Sequence, residues 1–426
     1  MLFNEDFLHY IWKCRLLIDR NLHCTSAEAL SIDDPGVLNT NAGPDFSFAK
    51  LRIGTTAWIG NIEIHYHSSD WLLHNHHHDQ SYDSVILHAV YIDDFAIYRT
   101  DGTLIPVLIL KGLVPEERIK SYLSLIAETN PFPCSRQINK VDSHTISQMV
   151  DKVIHERLEE KFAEVTAKLL LNHNNWDETF YYVMLKNFGF KINAVPFEML
   201  ADALPSSILI KHRDDPLQLA ALLFGQAGFL SMAFKDKYPQ QLRAEYDFLR
   251  KKYNLHPIPR SLWKFLRMRP QNFPTRRIAQ LAALLLHKHH FLSLIIERTE
   301  LKEFYALFKP AEINDYWKDH FRFDRTVNNT HLQFGRKSIE NLIINSVCTI
   351  LYSYGKSLNM SSLVEKAFSL LRRIPAERNA ITEKYTEAGL CVKTAYESQS
   401  VLHLNKNYCI QKKCLNCIIG IKILNK

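Results

Sequence analysis

The sequence lacks the features of an exported or membrane-spanning protein. It has no uninterrupted apolar run of the length that a bilayer span requires. Its first twenty residues carry acids early and no small-residue cleavage site, so they do not predict a secretory signal. Eight cysteines in 426 residues without such a signal favour reduced thiols over a disulfide framework. We therefore expect a cytoplasmic protein with no membrane partner.

Several catalytic signatures are missing as well. The chain has no Walker motif, no Gly-x-Ser-x-Gly nucleophile elbow and no Rossmann fingerprint. The stretch FGQAG at 224–228 lacks the lysine of a phosphate loop and lies within a helical pattern. These absences exclude the function classes that depend on those motifs and turn attention to charged and imidazole-bearing residues.

The composition is that of an ordinary globular protein. Hydrophobic residues make up 46% of the chain, which is enough for a sizeable core and, at this length, for two domains. The formal net charge is +7, a mild surplus that permits a polyanionic partner such as nucleic acid without requiring one.

The first part of the chain alternates as strands do. Helical periodicity over 3–20 is followed by strand-like stretches at 27–32, 46–53, 57–67, 84–92 and 103–110, the last of which contains Pro106. From about residue 145 onward the pattern is helical almost throughout. We predict an α+β protein in which a helix and a small mixed sheet (1–140) precede a mainly α-helical domain (141–426).

The candidate site lies on the stretch GNIEIHYHSSDW at 60–71. In a strand, Glu63, His65 and His67 share one face, and the apolar residues between them take the other. Asp45 lies at the mouth of the preceding strand. If 46–53 and 57–67 form a hairpin, Asp45 and the alternating residues meet at one open end around a divalent cation. The alternative is a polar sheet face exposed to water.

Further imidazoles accompany this strand. His88 interrupts an otherwise apolar strand, so it is a candidate ligand beside Glu63 and His65. The loop that follows the site strand adds His74, His76 and Asp79 as accessory candidates, although part of this histidine run can be a solvated loop. Sets rich in imidazole favour zinc, manganese or iron over magnesium.

Pro44-Asp45, an intervening hairpin and Glu63-Ile64-His65 resemble the Pro-Asp…(Asp/Glu)-x-Lys signature of the restriction-endonuclease-like nucleases. The resemblance implies that Asp45 and Glu63 bind magnesium or manganese and that Ile64 offers a carbonyl. It also implies that His65 replaces the lysine that helps to activate water, and it suggests Glu28 as an accessory acid. Under it, Asp45, Glu63 and His65 are the catalytic residues of a nuclease-like core.

The whole chain also resembles an uncharacterised bacterial family of unknown function. The resemblance is carried by NAGPDF, GNIEIHYHSSDW, SVILHAVYIDD, LLFGQAGFL, WKFLRMRPQNFPT and YCIQKKCLNCIIG, which are spread over nearly the full length. It implies a family and no activity.

Three cysteines near the end of the sequence form a second candidate site. Cys409, Cys414 and Cys417 have the spacing C-x4-C-x2-C, which suits zinc or an iron–sulfur cluster as a structural clasp. The fourth ligand could be Cys134, Cys391 or His403. Some nucleases of the resembled superfamily hold a cluster with three late cysteines and one upstream, which by analogy implies Cys134 or Cys24. The alternative is reduced cysteines without a metal.

Basic and aromatic residues interleave at 263–277. The cations there are candidates for contact with nucleic acid phosphates, and the aromatics for stacking on bases. The structural alternative is a proline-rich turn between two helices, with the arginines linking the turn to the helices. The candidates are Lys264, Arg267, Arg269, Arg276 and Arg277.

These observations lead to three hypotheses of function. The first is a metal-dependent nuclease or phosphodiesterase-like hydrolase that uses magnesium, manganese or zinc, with the helical half binding nucleic acid. The second is a degenerate nuclease-like scaffold that binds nucleic acid or protein. The third is a histidine-ligated metalloenzyme acting on a small substrate.

Overall fold

The computed structural model describes residues 3–18, 21–129, 131–286, 288, 290–310, 313–328 and 332–425. The strands found in these residues are β1 (Leu22–His23), β2 (Ala29–Asp34), β3 (Val37–Leu38), β4 (Phe46–Ile53), β5 (Thr56–His67), β6 (Val85–Ile92), β7 (Val107–Ile109), β8 (His320–Arg322) and β9 (Arg325–Thr326). The predicted strands at 46–53, 57–67 and 84–92 are confirmed to within one residue at either end. The one expected at 103–110 is shorter, because Pro106 has no N–H for the ladder.

The α-helices found in the same described ranges are α1 (Glu5–Lys13), α2 (Asp70–Leu73), α3 (Glu116–Ala127), α4 (Ser143–Leu171), α5 (Trp176–Phe188), α6 (Ala194–Ala203), α7 (Ser206–Ile210), α8 (Pro216–Gln226), α9 (Lys237–Tyr253), α10 (Pro274–Leu285), α11 (Phe291–Glu297), α12 (Leu301–Leu307), α13 (Arg336–Leu342), α14 (Thr349–Ser357), α15 (Ser361–Arg373), α16 (Ala380–Glu387), α17 (Ala395–Leu404) and α18 (Ile418–Leu424). None of them is both long and apolar enough to cross a bilayer. A helix, a mixed sheet and then a mainly helical chain confirm the predicted α+β class.

The chain divides into two compact units. Unit 1 comprises Met1–Met149, Lys384–Leu390 and Leu404–Lys426, and unit 2 comprises Val150–Glu383 and Cys391–His403. Unit 1 therefore holds the cysteine-rich end of the chain in addition to the stretch 1–140 that we predicted as a domain. The predicted boundary after residue 140 stays a prediction.

The sheet of unit 1 is mixed. Its strands run in the order β1-β2-β4-β5-β6-β7, with β3 also paired to β4. The pairs up to β4–β5 are antiparallel, whereas β5–β6 and β6–β7 are parallel. The long strand β5 therefore lies in the middle of the sheet, and its second half has β6 beside it.

Helix α1 covers one face of this sheet. Its apolar residues recur at helical spacing, so Phe7, Leu8 and Ile11 are fully buried on one side. Ile62 and Ile64 of β5 are fully buried as well. This packing leaves the alternate residues of β5, with Glu63 and His65, pointing to the opposite face.

Unit 2 is built from packed helices. Asn175 caps α5 by accepting from Glu178 N–H, and Gly189 follows the last residue of that helix. Helices α8 and α9 approach closely at Gly225, where an added Cβ would lie 2.1 Å from the Tyr246 ring. The small residue at Gly225 therefore sets the distance between these two helices.

Candidate metal centre

The polar face of β5 is buried. Glu63 is 4% exposed and His65 2%. Glu63 lies opposite His88 in the parallel β5–β6 ladder, so the carboxylate and both imidazoles occupy one patch of the sheet. A water-exposed polar face, the alternative considered from the sequence, does not describe these residues.

The segment 70–84 forms the cover of this patch. It folds back as α2 followed by two 3-10 turns, His76–His78 and Gln80–Ser84. Trp71 is 1% exposed, and its ring centroid lies 5.4 Å from that of His76. The Tyr82 ring stacks on His76 with centroids 3.8 Å apart. These two aromatic rings hold the imidazole of His76 over the sheet.

Three imidazoles and one carboxylate converge under this cover. His65 Nε2 lies 3.2 Å from His74 Nδ1, and Glu63 Oε1 lies 3.3 Å from Nε2 of both His65 and His76. Ring nitrogens of the three histidines all lie within 4.8 Å of one another. Ligands bound at about 2.0–2.1 Å to one tetrahedral ion are about 3.3–3.4 Å apart. The His65–His74 separation is close to that of neighbouring ligands, and the three nitrogens together lie within 4.8 Å.

His88 contacts the side of the His65 ring that faces away from His74 and His76. Its Nε2 lies 2.9 Å from His65 Nδ1, the ring nitrogen that does not face the cluster. Burial, followed by the charge of His65, lowers the pKa of His88 to about 3, so its ring is neutral at physiological pH. A neutral His88 can accept a hydrogen bond from His65 Nδ1–H, so His65 Nε2, which contacts Glu63 Oε1, would be free to bind an ion once it has released its proton.

Glu63 is held as a carboxylate. Its Oε2 accepts a hydrogen bond of 3.1 Å from the Asp45 backbone N–H. Burial alone would raise the pKa of Glu63, but hydrogen bonds with His65 and His76 outweigh it, so the pKa lies well below its usual value. The site therefore combines a negative charge with three imidazoles.

Asp45 lies beside this cluster but faces other partners. Its Oδ2 accepts a 2.9 Å hydrogen bond from Ile64 N–H and lies 3.1 Å from His9 Nε2 of α1. Burial lowers the pKa of His9, but the hydrogen bond and charge of Asp45 outweigh it, so the pKa is raised. The structure thus uses Asp45 to position Glu63 through its N–H and to link β5 to α1. Its carboxylate is outside the imidazole set.

Two other predicted residues also have separate partners. His67, on the same strand face as Glu63, turns to Asp94, with Nδ1 and Oδ2 3.4 Å apart. Asp79 accepts a 2.9 Å hydrogen bond from Ser81 N–H and caps the 3-10 turn that follows it. Neither belongs to the imidazole set.

Glu28 lies far from the centre. Its carboxylate accepts from Ser26 Oγ at 3.0 Å, and a Cβ added to Gly54, in the turn before β5, would lie 3.3 Å from its Oε1. The strand from Thr56 to Glu63 is roughly 23 Å long. The accessory role that the resemblance implied for Glu28 is therefore corrected, because it lies at the opposite end of β5.

The cysteines near the end of the sequence gather in unit 1 with Cys134. Cys134, Cys414 and Cys417 are buried. Burial, followed by the charges of Cys409, Cys417 and Cys414, raises the pKa of Cys134 well above its usual value. In the part of the chain that the structure describes, no three of these sulfur atoms lie within 4.8 Å of one another. The four thiols are electrostatic neighbours without the separation that a shared zinc ion imposes.

The other candidates for the fourth cysteine ligand have different surroundings. Cys391 and His403 belong to unit 2, where His403 Nε2 lies 3.6 Å from a Glu156 carboxylate oxygen. Cys24 is in unit 1, and burial raises its pKa to about 11. The pKa of Cys134 responds to all three late cysteines.

The basic stretch of unit 2 is only partly on the surface. Lys264, Arg267 and Arg269 are exposed. Arg276 and Arg277 are 1% and 3% exposed, so these two are corrected as candidates for phosphate contact, and the alternative in which arginines tie the turn to the helices describes them. The two buried arginines lie in the first turn of α10, where their contacts are internal to the fold.

Sequence reasoning missed the residues that enclose and orient the centre. Trp71 and Tyr82 are separated from Glu63 in the chain, and only the fold of the segment 70–84 brings them to His76. His9 was overlooked within an apolar helix. The sequence did contain a signal for His9, because a polar residue between the buried apolar residues of α1 indicates a specific polar partner.

A family described as "Protein of unknown function (DUF2851)" matches residues 5–380 of the chain. The match covers most of the sequence, so the protein belongs to this family, as the full-length resemblance implied. No curated protein matches the chain, and no solved structure does. The nuclease-like resemblance at Asp45 and Glu63 stays a prediction.

Proposed function

We propose that this member of the DUF2851 family is a metal-dependent hydrolase with its ion held by His65, His74 and His76. The observation that carries the proposal is the convergence of their ring nitrogens beside the Glu63 carboxylate. Three histidines bind zinc in hydrolytic sites that keep a fourth position for water or substrate.

The ligand set selects among divalent metals. Imidazole nitrogens suit zinc, and also manganese and iron, whereas magnesium prefers oxygen ligands and retains water. Two of the three nitrogens belong to His74 and His76 of the segment 70–84, and the third, from His65, is fixed by His88. We therefore expect zinc to bind most tightly and manganese to substitute for it.

Glu63 is the group beside the ion that can take up a proton. Its carboxylate is ionised, and its Oε1 contacts two of the three imidazoles. A divalent ion polarises a bound oxygen and lowers the pKa of water, and a neighbouring carboxylate can accept the proton that water releases. We assign Glu63 this role and Asp45 the role of positioning it.

The substrate class that we favour is a phosphodiester of nucleic acid. It is supported by the net charge of +7 and by the exposed cations Lys264, Arg267 and Arg269. The Pro-Asp…Glu-x-His motif resembles that of nucleases, which adds to the support. The resemblance to magnesium nucleases is weakened by the imidazole set, since these enzymes use carboxylates.

A second candidate function is a metalloenzyme acting on a small substrate. It is supported by the enclosure of the centre, because Glu63 and His65 are almost fully buried and Trp71 and Tyr82 wall in His76. A duplex would reach such an ion only through the exposed side at His74.

The experiment combines metal analysis with two activity assays. Purified protein is analysed for zinc, manganese and iron, then assayed on single- and double-stranded DNA and RNA and on a small chromogenic phosphodiester. Wild type is compared with His65→Ala, Glu63→Gln and the control His78→Ala, a variant at an exposed histidine outside the set.

We expect about one zinc or manganese ion per chain in wild type and in the control variant, and its loss in His65→Ala; iron held by the late cysteines should not change between these variants. Glu63→Gln should retain metal and lose cleavage, because it removes the proton acceptor. Cleavage of the chromogenic diester without cleavage of nucleic acid would favour the small substrate. Nucleic acid binding without metal or cleavage would leave the degenerate scaffold and refute the hydrolase.

A further inference from the structure

Arg277 in unit 2 is a buried cation between two aromatic rings. It is 3% exposed, and its guanidinium carbon lies 4.5 Å from the Phe190 ring centroid and 5.0 Å from that of Phe334. Such contacts with ring faces attract a cation but supply no counter-charge. A guanidinium removed from water in this way needs compensation from its hydrogen-bond partners.

Those partners are all neutral. Arg277 donates to Gln280 Oε1 at 3.0 Å, Asn272 Oδ1 at 2.6 Å and Ser338 Oγ at 3.1 Å. Its Nε is buried and has no hydrogen-bond partner. In the described ranges of the chain, no carboxylate forms an ion pair with Arg277. The positive charge is therefore solvated by amides and a hydroxyl alone.

The surroundings add positive potential instead of cancelling it. Arg277 lies in the first turn of α10, at the end of a helix where the peptide dipoles leave a partial positive charge. Burial, followed by the charge of the neighbouring Arg276, lowers the pKa of Arg277 to about 9. Anions are stabilised, and cations destabilised, at such a helix end.

A cavity opens onto this cation. It has a volume of about 440 Å³, within the range of small-molecule sites. Besides Arg276 and Arg277, its wall includes Arg269, Gln271 and Gln333. No aspartate or glutamate is found among the described residues that line it. The wall thus consists of cations and neutral hydrogen-bonding groups, the set that recognises an oxyanion.

We propose that this cavity binds a small phosphate monoester whose phosphoryl group is held by Arg277 and Arg269. A phosphate monoester carries about −1.5 to −2 charges at neutral pH and three acceptor oxygens. It would supply the missing counter-charge for the arginines that line the cavity. The proposal does not depend on the metal centre, whose residues all belong to unit 1.

The test measures binding by calorimetry in the presence of a chelator, so that a metal ion in unit 1 cannot contribute. The probes are ribose 5-phosphate, unphosphorylated ribose, inorganic phosphate and a DNA oligonucleotide without terminal phosphates. We expect saturable binding of ribose 5-phosphate at one site per chain, at least about tenfold tighter than ribose, as charge-assisted hydrogen bonds provide. Inorganic phosphate should compete with it.

Three variants locate the site. Arg277→Met keeps an unbranched apolar stem and should lose at least about tenfold in affinity. Arg243→Met, at an exposed arginine outside the cavity wall, should bind as wild type. Gly335→Leu narrows the cavity at a position where an added Cβ meets no atom within 4 Å, so it should fold and bind weakly even if Arg277→Met does not fold.

Three results would overturn the proposal. The first is no saturable binding of ribose 5-phosphate or phosphate to wild type. The second is undiminished binding by Gly335→Leu and by folded Arg277→Met, which would leave Arg277 a structural residue. The third is equally tight, competing binding of the oligonucleotide, which would make the ligand a nucleic acid backbone.

Discussion

The role of His88 gives the most discriminating test of the metal centre, because this residue is fully buried and does not face the cluster. We predict that His88→Leu weakens metal binding although no ligand is removed. The substitution deletes the acceptor for His65 Nδ1–H, at present 2.9 Å away. His65 is then free to rotate or to carry its proton on Nε2, the nitrogen that should bind the ion.

The expected magnitude follows from other metal sites, where losing a hydrogen bond to the back of a ligating histidine costs about 10–100-fold in metal affinity. That factor corresponds to about 1.4–2.7 kcal/mol. At a free zinc concentration of about 100 times the wild-type Kd, wild type gains about 2.7 kcal/mol of stability from the ion. By the same relation the variant gains only about 0.4–1.4 kcal/mol.

Two readouts check this. Competition with a chromophoric chelator gives the Kd directly, and thermal unfolding with and without zinc gives the stability gain. His88→Gln should recover part of the affinity, because its amide oxygen can accept from His65. His67→Gln is the matched control: this imidazole lies on the same strand face but pairs with Asp94. The reasoning fails if His88→Leu binds zinc as wild type does, or if His67→Gln loses as much affinity.

Three other predictions concern the rest of the chain. Protein purified without a reductant should contain iron bound by Cys409, Cys414 and Cys417. An iron–sulfur cluster joins its ligands through several irons, so it tolerates wider sulfur separations than a single zinc ion. Cys417→Ser should lose the iron, and the control Cys14→Ser, at an exposed cysteine, should keep it. Gly225→Ala should destabilise unit 2 by about 1–3 kcal/mol in urea unfolding, since the new methyl group overlaps a tyrosine ring. The pKa of His9 is raised, so protonated His9 stabilises the fold. The stability difference between wild type and His9→Gln should therefore be greatest below about pH 6.5 and shrink as the pH rises through the raised pKa. An unchanged difference from pH 6 to 9 would contradict the contact between His9 and Asp45.

The strands around the site were predictable because their causes are local. Alternating apolar and polar residues over 46–53 predict a strand with one buried face, and β4 shows that burial pattern. The alternation continues into 57–67, where β5 forms, although both of its faces are buried from Ile62 to Tyr66. The same pattern puts Glu63 and His65 on one side of β5. Element class and face are consequences of side-chain periodicity, which a single sequence displays.

Which residues belong to the site was less predictable, because this depends on the fold of the segment 70–84. His65 and His67 are equivalent by alternation, yet one faces the cluster and the other Asp94. The difference arises where the chain leaves β5 and turns into α2. His74 and His76 enter because that segment folds back over the sheet, which no periodicity encodes.

Arg276 and Arg277 illustrate the same limit in unit 2. A run of cations and aromatics around a proline turn fits either a surface that contacts phosphates or a turn that arginines tie to its helices, and charged residues are in general rarely buried. The structure instead buries both arginines, with Arg276 donating to the Trp317 carbonyl and Arg277 held by amides and rings. Burial of a charge depends on partners distant in sequence, so the stretch itself offered both interpretations and could not decide between them.

The histidine at position 65 separates the two chemical interpretations of the centre. In the nuclease-like interpretation it stands in place of a lysine, so His65→Lys should support magnesium-dependent cleavage. In the imidazole interpretation it is a ligand, and the longer, flexible lysine side chain does not place a nitrogen where the imidazole Nε2 lies and, when protonated, has no lone pair for the ion. We predict that His65→Lys loses bound metal and cleavage together, whereas the control His67→Lys retains metal. Magnesium-dependent cleavage by His65→Lys at or above the wild-type rate would remove His65 from the ligand set and return the site to Asp45 and Glu63.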